Sequence, residues 1–157
     1  MNNALVLSVD DSEDDALLLR RAWRKAGTTL DLEVLDDGQK AIGYLEGWAK
    51  NSAQSNTTLP PFVLLDLNMP RMNGFEVLQW IQSRDALRQL PVCVFTSSGN
   101  VRDIEQAYQK GALAYVTKPG AYEGLLEFVA HLNSCLSQDI TSGCLKTLPG
   151  FQPKPRS

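Results

Sequence analysis

Long apolar runs are missing from this chain, and none approaches the ~20 residues that a membrane-spanning helix needs, so no span is expected. The opening MNNALVLSVDDSEDD lacks a basic flank before a long apolar stretch and turns acidic at once, unlike a secretory signal. A cytoplasmic protein without a membrane role is the expectation. Histidine occurs once, at His131, among the apolar positions of a helical pattern, so neither a histidine metal cage nor a phosphorelay histidine is expected. Cys93, Cys135 and Cys144 are an odd set without metal-ligand spacing; Cys93 sits in an apolar run, and neither zinc nor disulfides are expected. A basic surplus is also lacking: the net charge of −3 gives no general pull toward nucleic acid.

What is present is a repeated switch of hydrophobic period. With 157 residues, 43% of them hydrophobic, the chain fits one compact domain. Ala4–Val9, Leu30–Leu35, Phe62–Leu65, 91–95 and Leu113–Thr117 read as strands. Between them, Ser12–Ala26, Gln39–Trp48, Asn73–Gln82 and Val101–Lys110 carry apolar residues at helical spacing, and Tyr122–Leu136 closes the series. Ser12 with Asp15 is a capping pair, and Gly27 a natural stop. Trp23, Trp48 and Trp80 fall on helices as packing residues, with Trp48, beside the long polar stretch, also a candidate to face a partner. This is a (βα)₅ alternation, which argues an α/β fold with a parallel sheet covered on both faces by right-handed crossovers. The polar stretch Ala49–Pro61 reads as a loop longer than α/β connections usually are, an insertion or a partner-binding loop. Residues 138–157, with Pro149, Pro153 and Pro155, read as a loosely docked or disordered tail after a domain spanning 1–137.

In such sheets ligands collect at the carboxyl ends of the strands. Asp10 and Asp11 follow the first strand, Asp66 the third, Thr96 the fourth and Lys118 the fifth. Adjacent carboxylates raise one another's pKa unless they share a cation, and an oxygen-only set suits Mg²⁺ or Mn²⁺. An aspartate at a strand end is a nucleophile at neutral pH, a threonine hydroxyl can donate to a phosphoryl oxygen, and a lysine balances its charge. Singly, each has a dull reading: a helix cap, a turn aspartate before Pro70, a polar turn, a solvated strand end. Their common edge is what points to a site.

The motifs VDD at 9–11, LLDLNMPRMNG at 64–74, FTSS at 95–98 and Lys118–Pro119 resemble the receiver domain of bacterial two-component response regulators over residues 4–136. The resemblance implies a flavodoxin-like three-layer fold with strand order 2-1-3-4-5. It implies Asp66 as phosphoacceptor, Mg²⁺ (Mn²⁺ in substitution) held by Asp10, Asp11, Asp66 and the backbone carbonyl of Asn68, and Thr96 and Lys118 on the phosphoryl group. Thr96 and Tyr115 are the implied switch residues. Gly74 and Pro119 match backbone-shaping positions, with a cis peptide bond implied before Pro119. Gly120 and Ala121 stand where a bulky residue is more common.

The long polar loop and AYVTKP at 114–119 further resemble single-domain regulators serving phytochrome-type sensor histidine kinases. For these a homodimer through the face of the fourth helix, fifth strand and fifth helix is implied, with Leu113, Tyr115, Tyr122 and Leu126 as candidate contacts. The chain would then act as a phosphoacceptor rather than an enzyme, catalysing only its own phosphoryl transfer and slow autodephosphorylation, with Asn68 and Ser98 bordering the path of water. About twenty polar residues after 136 are too few for a helix-turn-helix, so no direct nucleic-acid contact is expected. A haloacid dehalogenase-type hydrolase would want a second aspartate where Asn68 stands, and an FMN binder would want a Ser/Thr-rich loop where Asp10 and Asp11 stand. A phosphate-independent interaction module would not need all five reactive positions.

Overall fold

The computed structural model describes residues 4–55, 61–137 and 142–156. The five apolar runs form β1 (Leu5–Val9), β2 (Asp31–Leu35), β3 (Phe62–Leu65), β4 (Val92–Thr96) and β5 (Ala114–Thr117). They pair in parallel in the order β2-β1-β3-β4-β5, as the resemblance implies. Alternate residues of a strand face opposite sides. Phe62 and Leu64 therefore enter one core and Val63 and Leu65 the other, which is why β3 has no polar position.

Helices α1 (Glu13–Lys25) and α5 (Tyr122–Ser137) cover the first face through Leu19, Trp23, Phe128 and Leu132. Helices α2 (Gly38–Ser55), α3 (Gly74–Ser83) and α4 (Val101–Gln109) cover the second through Leu45, Val77, Ile81 and Ile104. Helix ends follow local chemistry. Ser12 Oγ accepts the Asp15 N–H at 3.2 Å, Asn73 and Glu76 form a reciprocal capping box, and Gly27 closes the α1 turn at φ +65°. Trp23 packs as expected and donates its indole N–H to the Leu30 carbonyl at 2.8 Å.

Four expectations need correction. The stretch 49–55, expected as loop, continues α2. Trp48 and Ala49 pack on the second core, and Ser, Asn and Lys at the following positions do not break a helix as Gly or Pro would. The rest of the expected loop, 56–60, lies outside the described residues. No cis peptide bond occurs among the described residues, so Pro119 follows a trans bond. Cys135 and Cys144 are joined in a disulfide, their Cα atoms 5.7 Å apart.

The expected loose tail is instead docked. A single helical turn, α6 (Ser142–Leu145), is followed by a strap that crosses to the outer edge of β5. Leu145 and Leu148 are buried against Leu132, Cys135 and Leu136, and Phe151 packs beside them. These three apolar residues recur at every third position, a pattern masked by the surrounding prolines and glycines. Phe151 bridges antiparallel to Val116, the Thr117 N–H donates to the Gly150 carbonyl at 2.9 Å, and the Gln152 N–H donates to the Tyr115 carbonyl at 2.8 Å. An edge strand otherwise presents unpaired backbone groups; here residues 150–152 of the same chain take some of them.

Candidate functional site at the carboxyl ends of the strands

Sheet hydrogen bonding runs past the strand ends and sets the site residues in place. The Asp10 N–H donates to the Leu35 carbonyl at 3.0 Å, that of Asp66 to Val9 at 3.0 Å, and that of Lys118 to Thr96 at 2.8 Å. Their backbones are thus continuations of the ladder, not free loops. Gly74 lies under the same turn: a Cβ there would collide with the Asp66 carbonyl oxygen, and its N–H donates to the Leu67 carbonyl at 3.1 Å.

One carboxylate oxygen from each of Asp10, Asp11 and Asp66 lies within 4.8 Å of the others. Asp10 and Asp66 are buried and Asp11 is exposed. The Lys118 ammonium reaches into this group, 2.6 Å from Asp10 Oδ2 and 3.4 Å from Asp66 Oδ2. It also reaches Asp15 Oδ2 at 2.7 Å. The remaining oxygens are held by backbone donors, Asp10 Oδ1 by the Ser12 N–H at 2.9 Å and Asp66 Oδ1 by the Asn68 N–H at 3.3 Å. Burial pushes the Asp10 carboxyl up from its ordinary range, against the opposing pull of Lys118 and the Ser12 N–H, with the Asp66 charge adding to the rise. For Lys118 burial disfavours the charge, but the hydrogen bonds to Asp10 and Asp15 and the charges of Asp66 and Asp10 outweigh it and hold the ammonium above its usual range.

Thr96 is fully buried at the end of β4, and its Oγ1 has no hydrogen-bond partner. An orphaned hydroxyl costs about 1–3 kcal/mol, a cost a protein tolerates where a ligand supplies the missing acceptor or donor. An all-oxygen set of carboxylates for a hard divalent cation, a lysine and an unpartnered hydroxyl fit a cation with a phosphoryl group. Among the described residues no histidine or cysteine joins the three carboxylates.

Tyr115 is buried, and its hydroxyl donates to the Ser98 carbonyl at 2.8 Å, in the loop between β4 and α4. The Ser98 hydroxyl in turn donates to Asp103 Oδ2 at 2.6 Å and accepts the Asn100 N–H. The ring therefore already lies inside, tied to the loop that follows Thr96. His131 is exposed on α5 with Nδ1 3.0 Å from the Glu127 carbonyl, and takes no part.

Asp15 is the residue that sequence reading passed over, treating it only as half of a capping pair. Its position four residues after Asp11, in the first turn of α1, was the available signal: that turn faces the carboxyl end of β1. Gly120 and Ala121, short beside Lys118 and Pro119, help line an opening of about 100 Å³ that Leu18, Phe95 and Tyr122 also border.

The model for the response regulator receiver domain family matches residues 6–130. Among curated relatives, the probable methanogenesis regulatory protein FilR2 of Methanothrix harundinacea is 36% identical over 131 residues, 82% of this chain and 80% of that protein. Response regulator Rcp1 of Synechocystis is 30% identical over 137 residues, 87% of this chain and 91% of its own. The crystal structure of the Mn²⁺-bound form of Rcp1 superposes with a TM-score of 0.71 and 30% identity, covering 93% of this chain and 99% of that one. The phosphorylated cyanobacterial phytochrome response regulator RcpA superposes with a TM-score of 0.73 and 29% identity, covering 87% and 95%.

Proposed function

The chain belongs to the response regulator receiver family, and from that premise we propose that Asp66 is the residue on which it accepts a phosphoryl group from a sensor histidine kinase. The observation that carries the assignment is the convergence of Asp10, Asp66 and the Lys118 ammonium within hydrogen-bonding reach at one sheet edge. As a two-component receiver it is a signalling protein, and its acidic cluster fits the divalent metal site such domains use.

Asp10, Asp11, Asp66 and the backbone carbonyl of Asn68 would hold Mg²⁺, with Mn²⁺ able to substitute. When bound, the cation neutralises phosphoryl oxygens and the clustered carboxylates. Asp66 Oδ attacks phosphorus in line with the departing imidazole nitrogen of the donor; the P–N bond breaks as the acyl phosphate forms, and the nitrogen keeps the electron pair. Lys118, leaving Asp66, turns its charge to the transferred group, and the Thr96 hydroxyl gains the acceptor it lacks here. Hydrolysis is slow because Asn68 and Ser98, bordering the path of water, offer no strong base.

The switch follows from the same geometry. Pulling Thr96 toward a phosphoryl oxygen bears on the loop that Tyr115 grips through Ser98, and α4 follows that loop. Because the tyrosine is already inside in the unmodified chain, phosphorylation shifts a population between two arrangements.

The kinase is of the phytochrome type in this reading, and the compartment is the cytoplasm. Among the described residues no helix is long and apolar enough to cross a membrane. Output runs through protein contacts rather than nucleic acid. A homodimer through the α4-β5-α5 face would seat on the strap beside exposed Val101 and Leu113, since the β5 edge itself is taken.

The test is intact-mass spectrometry after acetyl phosphate with Mg²⁺. We expect an adduct of about 80 Da that disappears with EDTA and in Asp66→Asn, whose fold is retained. An adduct persisting in Asp66→Asn would overturn the assignment.

A further inference from the structure

The docked tail lies beyond the residues matched by the family, 6–130, and its attachment has two parts of different chemistry. The first is covalent: Cys144 of α6 is bonded to Cys135 of α5 across nine positions of chain. The second is a set of non-covalent anchors beyond that bond. Leu145 and Leu148 are buried, Phe151 bridges to Val116, and the Gly150 carbonyl and Gln152 N–H pair with β5. The Tyr108 hydroxyl adds a hydrogen bond to the Gln152 carbonyl at 2.6 Å.

A disulfide in a reducing compartment persists only where it is redox-active or strongly protected. This one is not sealed. Cys135 is 2% exposed, whereas Cys144 is half-buried in a single turn of helix and is therefore the more exposed partner of the pair. The third cysteine, Cys93, cannot scramble the pair, because it lies fully buried in β4 with its thiol pushed up to about 12 by desolvation.

We propose that Cys135 and Cys144 form a reversible dithiol–disulfide modification site whose redox state sets whether residues 146–156 stay fastened over the outer edge of β5. Reduction takes a dithiol. Its thiolate attacks Cys144 Sγ, the Cys135–Cys144 bond breaks, and the Cys135 sulfur leaves as a thiolate that takes a proton. The second thiol of the reagent then attacks its own sulfur in the mixed disulfide and releases Cys144, so the protein gains two hydrogens and the reagent becomes a disulfide. Oxidation passes through a mixed disulfide as well: the Cys144 thiolate attacks a low-molecular-weight disulfide and releases one thiol, then the Cys135 thiolate attacks Cys144 Sγ and releases the second, so two thiols form as the protein loses two hydrogens.

Opening frees the Thr117 N–H, the Tyr115 carbonyl and the Tyr108 hydroxyl together. Thr117 precedes Lys118, so the strand released is the one that carries the site's cation. The redox site itself does not depend on phosphorylation of Asp66.

The full chain tests this by hydrogen exchange with mass spectrometry, oxidised and after dithiothreitol, alongside Cys144→Ser. Oxidised protein should be lighter by two hydrogens and block only one cysteine with an alkylating agent after unfolding. Reduced protein and Cys144→Ser should exchange the Thr117 and Gln152 amides faster, on the order of 50-fold by the loop-closure entropy of so short a cross-link, with β1 and β3 amides unchanged. Reoxidation with glutathione disulfide should restore protection in the wild type and not in the variant. Equal exchange in both redox states, absence of the disulfide after oxidation, or acceleration spread over β1 and β3 would each overturn the proposal.

Discussion

At the scale of single residues, the site is a contest for one ammonium. Lys118 is claimed by Asp10, Asp15 and Asp66 at once, and only the second lies outside the proposed metal ligands. Removing Asp15 takes a negative charge from the neighbourhood and leaves Lys118 to bind Asp10 and Asp66 more tightly. Both effects oppose a cation. We expect Asp15→Asn to weaken Mn²⁺ or Mg²⁺ affinity by about fivefold, roughly 1 kcal/mol, measured by titration calorimetry. Thr96 supplies the opposite kind of expectation. Its buried hydroxyl has no partner, so Thr96→Val should leave the unmodified protein as stable or more stable by about 1 kcal/mol in urea unfolding, while it blunts the response of Tyr115 to phosphorylation. A loss of 2 kcal/mol or more would mean that the hydroxyl is satisfied in solution.

At the scale of elements, the sheet ladder and the helix caps fix the backbones of Asp10, Asp66 and Lys118. The turn from β3 into α3 is the tightest case. Gly74 begins α3 directly beneath the Asp66 carbonyl, and no side chain fits between them. Gly74→Ala should therefore destabilise by about 2 kcal/mol or more and slow phosphorylation, because the backbone that must move carries Asp66, the proposed phosphoacceptor. Thermal unfolding and the rate of acetyl phosphate labelling would read the two effects separately. The capping box of Asn73 and Glu76 holds the same turn from its other side, so the cost cannot be relieved by simply fraying α3.

For the molecule as a whole, the sheet has one edge covered by the strap of residues 146–156. The strap buries Leu145 and Leu148 and pairs with β5, so a chain ending after Ser137 would bare both an apolar patch and a row of backbone groups. Such a truncated protein should be less stable, because the burial of Leu145 and Leu148, about 1.5–3 kcal/mol each, is lost. It should also self-associate, which light scattering behind a sizing column would register. Unchanged stability would mean that the strap is loosely held in solution. The edge is also where the redox proposal and the phosphorylation proposal meet, since β5 carries Tyr115 at one end and leads to Lys118 at the other.

The alternation of periods and the acidic, hydroxyl and basic residues that end the apolar runs were enough to place five parallel strands and to gather Asp10, Asp11, Asp66 and Lys118 at one edge. That information is local: a strand's apolar pattern and the residue after it are adjacent in the chain, and a parallel sheet sends all such residues the same way. The inward seat of Tyr115, the grip of Asp15 on Lys118, the Cys135–Cys144 bond and the docking of the strap were decided only by tertiary structure. Each joins groups whose nearness depends on how α1, α4, α5 and β5 pack. A capping aspartate, an odd cysteine set and a proline-rich tail carry no local signal of a partner on another element, so their pairing emerges only once the layers are assembled.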